Sequence, residues 1–301
     1  METNVILTGA SGFVGKNLTK YLKVNKYKVD FLSLRDSLWT DNLDKTANVI
    51  IHLAGKAHDT ANTSDDSEYF KVNRDLTIQL FDVFLKSDIK DFFYFSSVKA
   101  VADTVDGVLF EDIDAKPLTS YGKSKFEAEE YLLKQTLPEG KRLFIIRPCM
   151  IHGPGNKGNL NLLYKVVEKG IPWPLAAFHN ERSFLSIDNL SYLIETMIAK
   201  KNLSSGVYNF ADDDALSTND VVQLISVTLG QKPRLWSISS SFIKTVVKIG
   251  DILPLPLNSE RLKKLTESYV VSNSKIKKAL GIEKLPTSAK EGLTKTIQSF
   301  Q

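Results

Sequence analysis

A chain of 301 residues that is 43% hydrophobic can bury a full core, as one large domain or two unequal ones. Its net charge of +4 comes from 39 basic and 35 acidic residues spread along the sequence, without the clustered basic face of a nucleic-acid binder. A single cysteine, Cys149, excludes an internal disulfide, no apolar run reaches the roughly 18 residues of a membrane span, and no early segment has signal-peptide form; a cytoplasmic protein is expected.

The apolar run Val5, Ile6, Leu7 predicts a first strand over 5–8. It runs into Gly9-Ala10-Ser11-Gly12-Phe13-Val14-Gly15, three glycines at a spacing of three that open a predicted helix. Further strands are predicted at 28–34, 49–53, 92–96 and 142–147, with helices between most of them. That alternation gives an α/β fold with a Rossmann-type, doubly wound parallel sheet. The stretch 49–54 is almost continuously apolar, as a strand covered on both faces requires.

Beyond Pro154 the pattern changes. A helix and a Pro- and Gly-rich turn are predicted within 156–174, then a short strand at 182–187. Asp188 is placed to cap a helix carrying Leu190, Leu193, Ile194 and Met197, and 207–210 reads as one more strand of the first sheet. The expected organisation is therefore interleaved: 1–155 mainly a dinucleotide-binding domain, 205–230 returning to it, and 156–204 with 231–301 mainly a smaller substrate-binding region. The stretch 242–256, apolar but broken by Lys244, Lys248 and Asp251, reads as an edge helix or a face for a partner or membrane surface.

The candidate chemistry follows from these placements. A dinucleotide pyrophosphate is favoured at a helix N-terminus when glycine lets the backbone approach it, which assigns Gly9, Ser11, Gly12, Phe13, Val14 and Gly15 to the cofactor; a merely crowded turn is the structural rival. After the second strand, Ser33 and Arg35 offer a hydroxyl and a guanidinium where an adenosine ribose with free hydroxyls wants a carboxylate. NADP(H) is preferred, with NAD(H) the alternative should Asp36 reach the ribose. Tyr121 and Lys125, one helical turn apart in SYGKSK, share a face. The ammonium is expected to draw the phenol down from about 10, readying it for proton transfer. Ser97, at a strand's carboxyl end, is expected to orient the reacting oxygen, while Ser96 can cap the strand exit; two plain turn serines are the rival. No metal is expected, since His52, His58 and His179 have no ligand spacing.

TGASGFVG, HLAGKAH, VNRDLT, SSVKA, YGKSK and IIRPCMIHGPGNKGN occur in the order found in extended short-chain dehydrogenase/reductases, the group of nucleotide-sugar epimerases, dehydratases and reductases, and the chain resembles that family over nearly its whole length. The resemblance implies that Leu53, Ala54 and Gly55 run past the cofactor, that Asn73 steadies backbone near the site, and that Arg147 leads toward the nicotinamide and substrate. It further implies an enzyme whose substrate contacts include Ser97, Lys99, Tyr121, His152, Lys157, Asn159 and Arg182, the arginine on a nucleotide diphosphate, with UDP the expected nucleotide; His152 reads at least equally as a satisfied structural histidine. Family dehydratases carry an Asp-Glu pair where this chain has Val98 and Lys99, so dehydration ranks low. Reduction of a UDP-4-keto-6-deoxy-N-acetylhexosamine stands first, a UDP-sugar 4-epimerase second, and a non-catalytic cofactor-binding scaffold third. A homodimer is compatible with the resemblance.

Overall fold

The computed structural model describes residues 2–56, 65–156, 158–251 and 258–301. In chain order, β1 (Asn4–Thr8) leads through the glycine turn into α1 (Phe13–Val24), followed by β2 (Lys28–Leu32) and β3 (Val49–His52). One turn of helix, α2 (Asp66–Tyr69), continues through a π-helical turn (Phe70–Asp75) into α3 (Leu76–Leu85). Next come β4 (Asp91–Phe95), a 3-10 turn (Val98–Ala100), β5 (Val108–Leu109), α4 (Ser120–Lys134), β6 (Arg142–Pro148) and β7 (Met150–His152). The remainder is α5 (Asn159–Glu168), β8 (Arg182–Ser186), α6 (Ile187–Ala199), β9 (Gly206–Phe210), β10 (Ala215–Leu216), α7 (Thr218–Thr228), α8 (Ser240–Gly250), α9 (Ser259–Thr266), β11 (Val270–Val271), α10 (Ser274–Leu280) and α11 (Ala289–Gln298).

Six strands form a parallel sheet in the order β2-β1-β3-β4-β6-β9, so the chain reverses direction across the sheet on either side of β1. Alternation with a period of two divides each strand between two cores. Val5, Leu7, Val49, Ile51, Phe93, Phe95, Phe144 and Ile146 face Leu18 and Leu22 of α1 and Leu190, Leu193, Ile194 and Met197 of α6. Ile6, Ile50, Phe92, Tyr94, Leu143 and Ile145 face Leu80, Phe81 and Phe84 of α3 and Ala128 and Leu132 of α4. Burial on both faces is why these strands read as continuous apolar runs. At the opposite edge from the site, Asp91 starts β4 beside Arg142 of β6, and the guanidinium meets the carboxylate through two bonds of 2.7 and 2.6 Å.

A third core gathers Leu160, Tyr164 and Val167 of α5, Phe184 of β8, Val221, Val222 and Ile225 of α7, Ile243 and Val247 of α8, and Leu293 and Ile297 of α11. Two stretches sit differently from the organisation expected above. Helix α6, within 156–204, covers the main sheet, because a parallel link from β6 to β9 needs a crossover helix laid on a sheet face. Helix α7, within 205–230, packs instead in the third core. Among the described residues no helix is long and apolar enough to cross a membrane.

Candidate active site

At the carboxyl end of β1, Gly9 adopts φ +70° and its carbonyl accepts the Gly12 N–H at 3.0 Å, closing the turn. A Cβ on Gly9 would lie 2.7 Å from the Ala54 nitrogen, and one on Gly15 would lie 2.4 Å from the Gly9 oxygen, so neither position accepts a side chain. The turn therefore packs on Leu53 and Ala54. Gly12 caps α1 without a side-chain acceptor, and the first turn carries no acidic residue. Uncapped N–H groups at the start of a twelve-residue helix, with glycine at the cap, fit a pyrophosphate. Gly9→Ala is expected to weaken NAD(P)H binding by at least about tenfold, the strain being on the order of 1–3 kcal/mol. Titration of nicotinamide fluorescence reads this directly, and an unchanged Kd would remove the turn from the cofactor site.

Ser33 and Arg35 are exposed just past the end of β2. Asp36 is engaged within its own turn: its carboxylate accepts from the Leu38 N–H at 3.0 Å and from the Asn42 side chain at 3.4 Å.

The proposed proton-transfer groups meet where β4 ends against α4. Thr119 caps α4 through the Gly122 N–H, and a Cβ on Gly122 would lie 2.4 Å from the Lys99 oxygen. The glycine lets the helix close onto the 3-10 turn, which brings Tyr121 to hydrogen-bond Ser97. Ser97 also caps that turn, accepting the Lys99 N–H at 3.2 Å. One turn along, the Lys125 ammonium donates to the Phe95 carbonyl at 2.9 Å and lies 5.0 Å from the centre of the Tyr94 ring.

The electrostatics differ from the expected lowering of the phenol. Burial pushes Tyr121 above the ordinary tyrosine value, and the Ser97 hydrogen bond opposes that rise. The Tyr69 ring stands edge-on to it at 6.1 Å. Burial also lowers Lys125 to about 8, with the Glu129 carboxylate acting the other way. Spacing alone makes the lysine charge the dominant influence, whereas in the folded chain desolvation is the largest influence on the phenol. Ser96 likewise departs from its expected capping role: its hydroxyl donates to Glu129. The Arg147 guanidinium is buried against the same carboxylate, with Nε 3.0 and 3.1 Å from the two oxygens.

A buried hydrogen-bond chain that spacing did not reveal ties the glycine turn to α4. The Ala54 N–H donates to the Thr8 hydroxyl (3.1 Å), which lies 2.7 Å from His52 Nδ1. On the other side His52 Nε2 lies 2.9 Å from the Thr77 hydroxyl, which itself donates to the Asn73 carbonyl at 2.8 Å. Since the Thr77 proton is engaged there, His52 carries its proton on Nε2 and accepts the Thr8 proton on Nδ1. Burial first, and then the charge of Lys125, lowers His52 to about 3, keeping it neutral. The Asn73 side chain accepts the Lys56 N–H at 2.7 Å and donates to the Lys56 carbonyl and to Ser124. Asn73 thus steadies backbone beside Gly55, as implied by its motif, but is itself fully buried.

On the substrate side, His152 is corrected. It is 1% exposed, its Nδ1 lies 2.9 Å from the Thr296 hydroxyl, and its Nε2 lies 3.7 Å from Asp212. Thr296 donates to the Gly292 carbonyl, so the imidazole fastens β7 to α11 and cannot touch a substrate. Asn159 begins α5 and is exposed, while Lys157 and His58 lie outside the described residues. Lys99 donates to the Asp103 carbonyl at 2.7 Å and lies 4.5 Å from the centre of the Tyr269 ring. Arg182, half-buried at the start of β8, donates to the Lys264 carbonyl and bridges to Tyr269. Burial lowers both cations, Glu267 favours each charge, and Arg182 further disfavours that of Lys99. Among the described residues no group of three or more His, Cys, Asp or Glu side chains is arranged to hold a metal ion.

Comparison with known proteins gives a consistent result. The profile of the NAD dependent epimerase/dehydratase family matches residues 5–211. A UDP-glucose 4-epimerase of Vibrio cholerae is 30% identical, covering 100% of this chain and 96% of that protein. An N-acetyl-alpha-D-glucosaminyl-diphospho-ditrans,octacis-undecaprenol 4-epimerase of Escherichia coli O157:H7 is also 30% identical, covering 77% and 74%. The solved structure of RMD from Pseudomonas aeruginosa complexed with NADPH superposes with a TM-score of 0.75 at 19% identity, covering 99% of each chain.

Proposed function

The chain belongs to the NAD dependent epimerase/dehydratase family and is an enzyme, and on that basis we propose that it inverts C4 of a UDP-linked sugar. The observation that carries the chemistry is the meeting of Ser97, Tyr121 and Lys125 at the carboxyl edge of the sheet, across from the glycine turn. The full-length likeness to a UDP-glucose 4-epimerase favours epimerisation over the keto reduction that motifs alone put first.

Gly9, Gly12 and Gly15 with the start of α1 would hold the cofactor pyrophosphate, and Leu53, Ala54 and Gly55 would line its path. A bound nicotinamide supplies the hydride acceptor and donor. Tyr121 takes the proton from the sugar O4 as hydride leaves C4, and gives it back to O4 when, after the keto sugar turns over, hydride returns to the opposite face of C4. Ser97 hydrogen-bonds the same oxygen and keeps it beside the phenol. Lys125, anchored on the Phe95 carbonyl, supplies positive charge that stabilises the phenolate while it forms. Lys99 and Arg182 press like charges toward each other, which a diphosphate between them relieves; a guanidinium fork suits phosphate oxygens. Asn159 and Lys157 complete the proposed substrate set.

A second reading has its own support. Arg35 is exposed past β2 while Asp36 is engaged within its turn, which favours a 2′-phosphate and hence NADPH-dependent 4-keto reduction. Burial also keeps the phenol protonated, the form a reductase needs. On this reading Arg35→Ala weakens NADPH about tenfold, a loss of about 1.5 kcal/mol, and leaves NADH unchanged. An unmoved NADPH to NADH ratio would remove that support.

The deciding experiment supplies UDP-glucose, UDP-N-acetylglucosamine and a UDP-4-keto-6-deoxy-N-acetylhexosamine, with and without NADPH or NADH. C4 inversion without external reductant is expected. Stoichiometric NADPH consumption with the keto sugar alone would replace epimerisation by reduction.

A further inference from the structure

One turn beyond Lys125, and two beyond Tyr121, Glu129 lies on the same face of α4, so the three side chains form a single stripe. Glu129 is 1% exposed, and its carboxylate receives the Arg147 guanidinium from β6 and the Ser96 hydroxyl from the end of β4. Ser96 is flanked by the two groups that address the proposed proton-transfer residues. Before it, the Phe95 carbonyl accepts from Lys125; after it, Ser97 hydrogen-bonds Tyr121. The Ser96 N–H is in turn fixed on the Ile146 carbonyl at 2.8 Å, next to Arg147.

We propose that Glu129 is a positioning residue for the C4 chemistry: anchored by Arg147, it holds Ser96 and thereby sets where Phe95 and Ser97 present their oxygens to Lys125 and Tyr121. The inference rests on the proton-transfer roles proposed above. A buried ion pair is a weak source of stability, since desolvation offsets the attraction. Its placement here bears on geometry instead. Phe95, Ser96 and Ser97 are held by Lys125, the Ile146 carbonyl, Glu129, Tyr121 and the Lys99 and Ala100 N–H groups, and among the described residues the carboxylate in this set is that of Glu129. The carboxylate also favours the Lys125 charge, which otherwise faces neutral His52 from β3, the Tyr94 ring from β4, Asn73 from the π-helical turn and Tyr121 on its own helix. Arg147 of β6 adds a cation already matched by Glu129, and Arg74 of the π-helical turn is paired with Asp75 and Glu127.

Glu129→Gln alone leaves Arg147 buried without a counter-charge and endangers folding, so two variants avoid that: Ser96→Ala, and the double change Glu129→Gln with Arg147→Met. Each is checked by thermal unfolding, then measured for kcat, KM and the titration of Lys125 by NMR with 13C-labelled lysine, the signal being assigned by its loss in Lys125→Met. In both folded variants kcat is expected to fall, by up to about 10²-fold for a displacement of roughly 1 Å, with KM unmoved. The Lys125 titration is expected to move to lower pH. Folded variants with the parent kcat and an unmoved Lys125 titration would overturn the proposal. The NMR readout needs no turnover. A parent chain that inverts no sugar, but whose Lys125 titration responds to Ser96 and Glu129, would refute the reaction and keep the positioning role. A parent that inverts C4 while both variants match it refutes the positioning role alone.

Discussion

Tyr121→Phe is expected to lower kcat by about 10³-fold, the scale of a lost general acid and base, while cofactor affinity stays at the parent value. The substitution removes one oxygen from a half-buried ring packed edge-on against Tyr69, so the fold has little reason to respond. Ser97 keeps its cap on the Lys99 N–H. What disappears is the group proposed to move the proton at O4. Stopped-time assays of C4 inversion, paired with nicotinamide fluorescence titration, separate the two effects. Retained turnover in Tyr121→Phe would move the chemistry to another residue.

The second large effect belongs to Lys125. Lys125→Met is expected to reduce kcat by about 10²–10³-fold, the cost of removing one preorganised charged donor from a water-poor site. The parent enzyme should lose activity as pH rises through about 8, where the buried ammonium gives up its proton. The linked stability has a definite sign. The folded chain holds Lys125 near 8 against 10.5 for an exposed lysine, so between those values the unfolded chain binds more protons. Stability therefore gains a rising contribution across that window and loses it as pH falls through about 8; Lys125→Met lacks that slope. Denaturant midpoints from pH 7.5 to 10 in both proteins test this, and parallel curves would contradict it.

Much of the framework is legible in the sequence for simple reasons. Strands β3, β4 and β6 are covered on both faces, so their apolar runs are continuous, and strand ends fall within a residue or two of expectation. The glycine turn shows because Gly9 and Gly15 leave no room for a Cβ. What remains hidden depends on partners distant in sequence. The π-helical turn is held by Asn73 reaching Lys56 and Ser124, contacts that no local pattern encodes. Glu129 stands at a readable spacing from Lys125, yet its meaning comes from Arg147 across the sheet. The sequence leaves His152 between a substrate contact and a structural histidine, because polarity in a motif looks the same whether it faces a cleft or, as here, Thr296 and Asp212 in the interior. The direction of the Tyr121 shift is not legible in the charges along a helix, because burial of the phenol depends on the fold.

The central claim is that hydride leaves and returns at C4 while Tyr121 handles the proton on O4. Incubating the enzyme with UDP-N-acetylglucosamine deuterated at C4 tests it most directly. The account predicts a C4-inverted product that keeps its deuterium at C4, with no solvent hydrogen entering C3, C4 or C5. Deuterium lost to water, or solvent hydrogen at C3 or C5 of an inverted product, would contradict it.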